Sequence, residues 1–242
     1  MKRFFCVLLF IAAVIGGLLL CDHVTRRDDS ERKFRSFYDE KQDIDVFFMG
    51  TSHVLDDITP MELWRDFGVT SYNMGTSSEC LGMTEWILKL TADVHKPKIA
   101  VIDVYYIDKP LDLEWTFSYR HLFFDSYPLS LRKFEAVRAT LPKGQWMEFM
   151  MPFSLYHSRW EELMTGTGER MINCEPFMMG SEMRIGRGEP LPYTRTHAMT
   201  EGELPGTQAL RNIIAYCSEN GIEPVLMALP APVSEQEQAN MN

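Results

Sequence analysis

The chain has 242 residues, 45% of them hydrophobic, and carries 34 acidic against 24 basic side chains, for a formal net charge of −10. That balance leaves no long basic stripe and argues against nucleic acid as a partner. Five cysteines without a paired spacing argue against a disulfide framework, and no Cys/His spacing fits a metal site. No metal or other cofactor is expected.

Lys2-Arg3 precede an uncharged apolar run from Phe4 to Cys21. At about 18 residues the run is just long enough to cross the hydrocarbon core as a helix. No small-x-small cleavage site follows it, so the segment 1–24 reads as an uncleaved signal anchor. Arg26, Arg27, Arg32, Lys33 and Arg35 compete with Lys2 and Arg3 on short-range charge counts. Acidic residues interleave with them, and large domains translocate largely regardless of charge. The expected topology is therefore a single-pass plasma-membrane anchor with the body outside the cytoplasm. The segment 25–42 reads as a juxtamembrane linker.

The remaining stretch, 43–242, at about 200 residues, suffices for one sizeable α/β core. Asp45-Val46-Phe47-Phe48-Met49 is a short apolar run that reads as a buried strand, and it stops at Gly50 with Ser52 close behind. A serine on a tight turn at the carboxyl end of a central strand exposes a nucleophilic hydroxyl where ligands of open α/β sheets bind. Val69 to Met74 reads as a second strand, ending at Gly75-Thr76-Ser77-Ser78. Leu81, Trp86, Ile87, Leu90 and Val94 give a helical pattern that Lys96-Pro97 breaks. Ile99 to Tyr106 is a continuous hydrophobic run, as expected of a parallel strand covered on both faces. The stretch from about Leu111 to Pro205 interrupts this rhythm and reads as an insertion packed over the strand ends, with Arg184 to Gly188 as a solvated loop. Gly206 to Asn220 reads as a helix stopped at Gly221, and Glu223 to Pro230 as a fourth strand. Strand, helix, strand, helix in this order predicts an α/β domain with a mainly parallel sheet. Cys80, Cys174 and Cys217 are expected to be buried as small apolar residues.

Gly50-Thr51-Ser52-His53 after an apolar strand resembles the first block of the SGNH (GDSL-type) hydrolases, with threonine where aspartate usually stands. Asn73-Met74-Gly75 is similar to their second block. The layout, including Tyr156-His157-Ser158-Arg159-Trp160 and the segment Leu210 to Pro230, resembles the membrane-anchored envelope subgroup associated with exopolysaccharide O-acetylation and teichoic-acid D-alanylation. The resemblance implies a three-layer, flavodoxin-like SGNH fold. It implies Ser52 as nucleophile and Gly75 as an oxyanion donor through its N–H. The family's third-block asparagine is missing after the Ile99 strand, and Tyr105 is a possible substitute, since a phenol can donate to an oxyanion. His53, Asn73, His157 and Arg159 are candidate substrate contacts. The family's closing Asp-x-x-His, which supplies the base, does not occur before Asn242. The chain is expected to be part of a longer protein, the other expectation being a protein that lacks this base.

Two functions follow. The first is a serine-dependent ester hydrolase or O-acyltransferase acting on an acylated envelope or extracellular glycan, with the cytoplasmic membrane and a membrane-bound O-acyltransferase as partners. The second is a non-catalytic, membrane-tethered glycan-binding or assembly subunit.

Overall fold

The computed structural model describes residues 2–25, 31–111, 120–121, 123–165, 178–182 and 203–229. Cys174 and the Arg184 to Gly188 run lie outside the described residues. The chain divides into two compact units, Met1–Arg35 with Phe117–Cys174, and Ser36–Thr116 with Glu175–Asn242.

The second unit is built on four parallel strands, β1 (Val46–Met49), β2 (Ser71–Asn73), β3 (Ile99–Asp103) and β4 (Glu223–Met227), in the order β2-β1-β3-β4. Phe47 stands opposite Tyr72 on one side and Ala100 on the other, and all three are fully buried. Burial on both flanks is why these segments read as near-continuous apolar runs rather than alternating ones. β4 lies at one end of this order, with Val225 and Leu226 exposed. Between β1 and β2 lie α3 (Ser52–Asp57) and α4 (Pro60–Phe67). Pro60 at the first turn of α4 gives up only an N–H that would have been orphaned anyway.

Two helices carry the chain back for the next strands. The first, α5 (Leu81–Ala92), leads from β2 to β3. The second, numbered α10 below, is Thr207–Asn220, and it ends at Gly221 as expected. Both connections step in the same direction along the sheet, so the right-handed crossover rule puts both helices on one face. They pack on each other, and Asn212 Nδ2 donates to Glu85 Oε2 at 3.0 Å. Residues 178–182 extend the β2 edge: Asn73 N donates to Met179 O at 2.9 Å and Glu182 N to Leu55 O at 3.1 Å.

The other unit is helical. α1 (Lys2–Thr25) is long and apolar enough to cross a membrane, with an 18-residue stretch of mean hydropathy 2.9. α6 (Leu131–Thr140), α7 (Trp146–Met150), α8 (Phe153–Tyr156) and α9 (Trp160–Thr165) follow in the segment expected to be an irregular insertion. Ser130 caps α6 by accepting from Lys133 N at 3.0 Å. His121 is buried, stacks on Phe149 at 3.9 Å, and lies 3.1 Å from Asp125, whose carboxylate also accepts from Tyr156 Oη at 2.9 Å. The buried cations answer backbone carbonyls: Arg120 Nη1 donates to Thr140 O and Lys133 Nζ to Tyr127 O, at 2.8 and 2.9 Å.

The expected linker 25–42 is structured over α2 (Glu31–Asp39). Its charged residues masked two buried aromatics. Phe34 packs on Tyr127 in the helical unit, at 4.7 Å between centroids. Phe37 meets Phe47, Tyr72 and His95 in the sheet unit, at 5.7, 5.2 and 4.9 Å. Phe37→Ala removes a ring from three aromatic partners and should lower unfolding free energy by about 3–5 kcal/mol. Chemical denaturation in detergent measures it, and a loss below about 1 kcal/mol would place Phe37 outside the load of the core.

Candidate functional site

The strand order reverses direction between β1 and β3, since the chain goes from β1 outward to β2 and then back across to β3. At such a switch point the loops leave the carboxyl ends of adjacent strands in opposite directions and open a crevice, where α/β sheets bind ligands. Here the two strand ends are Met49-Gly50-Thr51-Ser52 and Asp103-Val104-Tyr105.

Gly50 leaves β1 at φ +150°, and a Cβ there would collide with Cβ of Asp103. Only glycine lets the β1 turn pass so close to the end of β3. Thr51 then takes the N-cap of α3, its Oγ1 accepting from His53 N at 3.2 Å. The same hydroxyl donates to Asp103 Oδ2 at 3.2 Å, while Asp103 Oδ1 accepts from Tyr105 N at 3.0 Å. One carboxyl thus ties the turn after β1 to the turn after β3. Ser52 is the first residue of α3 and is half-buried.

His53 and Tyr105 come together beside it, with ring centroids 4.3 Å apart, and Tyr106 continues the cluster at 5.0 Å from Tyr105. His53 Nδ1 is buried and has no hydrogen-bond partner among the described residues. Asp103 is only 3% exposed, and burial raises its pKa above the usual carboxylate range. The Tyr105 N–H, the Thr51 hydroxyl and the nearby His53 oppose the shift without cancelling it.

The second turn is held from below. Met74 N donates to Phe48 O at 2.7 Å and Thr76 N to Gly50 O at 2.9 Å, which carries the β1–β2 alignment past the strand ends. A Cβ on Gly75 would lie 2.8 Å from Leu55 N and 2.8 Å from Cβ of Val54, so this turn packs directly on α3. The Gly75 N–H, expected to face an oxyanion, donates to Asn73 Oδ1 at 2.9 Å.

Asn73, a candidate substrate contact, is fully buried. Its Nδ2 donates to Val54 O at 2.6 Å and Ile58 O at 2.8 Å, closing the carboxyl end of α3. Asn73 therefore braces α3 through its amide N–H groups and the Gly75 turn through its Oδ1. His157 and Arg159 belong to the helical unit. There His157 is exposed near Phe153, and Arg159 Nη1 donates to Thr25 O at 2.9 Å.

Two buried carboxyls were missed by the sequence reading. Asp103 closes the most hydrophobic strand run, and an acid at that position was a usable signal. Glu79, also buried, accepts from Thr84 Oγ1 at 2.7 Å and Thr76 Oγ1 at 3.1 Å and so fixes the loop after Gly75. Its partners lie on both sides of it in the chain, and no spacing rule singles it out.

No protein-family model matches this chain, and neither a curated protein nor a solved structure matches it.

Because Asp103 holds its proton more tightly folded than unfolded, the native chain binds more protons between the two pKa values, and stability falls as pH rises through that window. Asp103→Asn keeps the shape without the charge. Its stability relative to wild type should improve as pH rises from about 4, near the unperturbed carboxylate value, toward neutrality. Parallel denaturation curves at both ends of that range, with a constant difference between the proteins, would show that Asp103 does not titrate in this way.

Proposed function

We propose that this protein is a membrane-anchored, extracytoplasmic serine ester hydrolase or O-acyltransferase of the SGNH type, acting on acyl groups of a cell-envelope or extracellular polysaccharide. The observation that carries the reading is the place of Ser52, half-buried on the turn after β1 and beside the reversal of strand order. The order β2-β1-β3-β4 supports the flavodoxin-like arrangement that the SGNH resemblance implies.

In this reaction Ser52 Oγ attacks the acyl carbonyl carbon and gives its proton to a base. The sugar oxygen leaves with a proton, and the acyl group stays on Ser52 as an ester. Water or a second sugar hydroxyl then takes the acyl group and restores the serine. The backbone N–H of Ser52 is one donor to the tetrahedral oxyanion, and the Gly75 N–H becomes the second by turning from Asn73 Oδ1 to the acyl oxygen. Tyr105 stands within the same ring cluster as His53 and serves as a further donor. A single donor of this kind contributes about 2.7–4 kcal/mol to such a transition state. In the hydrolases that the chain resembles, this base comes from an Asp-x-x-His block. A membrane-bound O-acyltransferase would supply acyl groups to a transferase of this type.

One observation favours the second reading, a glycan-binding or assembly subunit without catalysis: the Gly75 N–H is already engaged by the Asn73 side chain. Covalent labelling separates the two. The natural full-length protein, treated with a serine-directed phosphonate and mapped by mass spectrometry, should carry one adduct at Ser52. Ser52→Ala should carry none while melting as wild type does. A folded wild type that stays unlabelled at Ser52 would favour the binding protein. The topology is tested independently, because α1 alone motivates it. Alkaline phosphatase fused after Asn242 should be active, with the chain in the membrane fraction, and an inactive fusion with an active cytoplasmic reporter would reverse the orientation.

A further inference from the structure

The end of α1 is built into the helical unit rather than hanging from it. Asp22, in the last turns of α1, is buried, and its Oδ1 accepts from Phe153 N, the first residue of α8, at 2.7 Å. Three residues on, Thr25 O accepts from Arg159 Nη1 at 2.9 Å, a guanidinium placed where the helix dipole is negative. α1 contacts both α8 and the turn His157–Arg159. These bonds all lie within one compact unit.

They also fix where that unit sits along the membrane normal. From Phe4 to Cys21 the helix rises about 27 Å at 1.5 Å per residue, close to the thickness of the hydrocarbon core. Asp22 is the first charged residue after this stretch and marks its edge. The amino end of α8 is thus bonded to the boundary itself. Trp160 follows Arg159 directly, so its Cα lies within about 14 Å of Thr25 O, the reach of an extended arginine and its hydrogen bond plus one Cα–Cα step.

The side chains at this level are apolar and open. Trp160 is 53% exposed, Met164 80% and Leu155 42%. Trp160 and Met164 stand one turn apart on α9 and share a face. A tryptophan at the end of a span is the residue type that settles at headgroup level, with an apolar body and one N–H donor.

We propose that α8 and α9 lie on the surface of the bilayer that α1 crosses, with Trp160 and Met164 buried among headgroups and upper acyl chains. The bilayer is the occupant because the bonds from Asp22 and Thr25 carry this face to the membrane boundary, whichever side it is. The inference needs only that α1 spans, and it is independent of the chemistry at Ser52. It makes the helical unit a platform that is held to the membrane at two points, the span and the α9 face.

The full-length protein is reconstituted in nanodiscs of phosphatidylcholine and phosphatidylglycerol, with and without lipid brominated near the carbonyl end of one acyl chain. The fluorescence of wild type minus that of Trp160→Phe isolates the Trp160 signal. That difference should be quenched by the brominated lipid, and less by lipid brominated near the chain terminus. A Trp160 signal indifferent to bromine would falsify the proposal. Wild type gives a second readout that needs no variant. Under hydroxyl-radical exposure Met164 should be oxidised several-fold more slowly in nanodiscs than in the urea-unfolded chain, and equal rates would also overturn it. Slow oxidation without bromine quenching would mean that a second copy of the chain, not lipid, covers this face, and the proposal fails on that outcome too.

Discussion

At the carboxyl end of the sheet two backbones pass so closely that residue 50 has no room for a side chain, and the organisation of the site depends on that contact. With Gly50 against Asp103, the carboxyl of Asp103 is within reach of the Thr51 hydroxyl, and Thr51 is held as the cap of α3. The cap sets where α3 begins, and α3 begins at Ser52. A methyl group at position 50 would push the β1 turn away from β3 and break this chain of dependence at its first link. The same closeness explains why Asp103 is dehydrated: the two turns seal it from water, and burial raises its pKa against the pull of three favourable neighbours.

α3 is braced from its other end by Asn73. Short helices are marginal by themselves, since few of their backbone groups find partners inside one or two turns. Here the missing partners come from outside. Thr51 accepts from an amide at the start, and the Asn73 amide donates to two carbonyls toward the end. Because Asn73 also holds the Gly75 N–H, a ligand that needs that amide must displace a hydrogen bond already made. The displaced carbonyl of Asn73 would be left buried and unpaired, which costs about 1–3 kcal/mol.

The sheet was legible because its strands are short apolar runs ended by glycine or by charge, and such runs report burial on both faces directly. Val46–Met49, Ile99–Asp103 and Glu223–Met227 fall inside the expected runs, as do α5 and the helix before Gly221. What stayed hidden was tertiary. Asn73 sits at the end of an expected strand, and only the position of α3 shows where its amide donates. Phe34 and Phe37 sit among charges in a segment that reads as a linker, and they are buried because two separate cores each claim one ring. The helices of residues 131–165 have weak periodicity, since their buried positions include Lys133 and Thr140, whose polar ends answer carbonyls. A hydrophobicity pattern cannot register a lysine that is buried through its stem.

The turn after β1 was legible in the sequence, while the contacts of Asp103 and Asn73 that hold it and α3 were not, and the difference has a physical cause. A tight strand-end turn needs a local signature, glycine and small residues. Its supports need none, because Asp103 and Asn73 reach the turn through space from strands that are neighbours only in the folded sheet. Thr51 joins the two strand ends: its hydroxyl donates to Asp103 while accepting from His53 N, so an acid contributed by β3 is held one hydrogen bond from the start of α3.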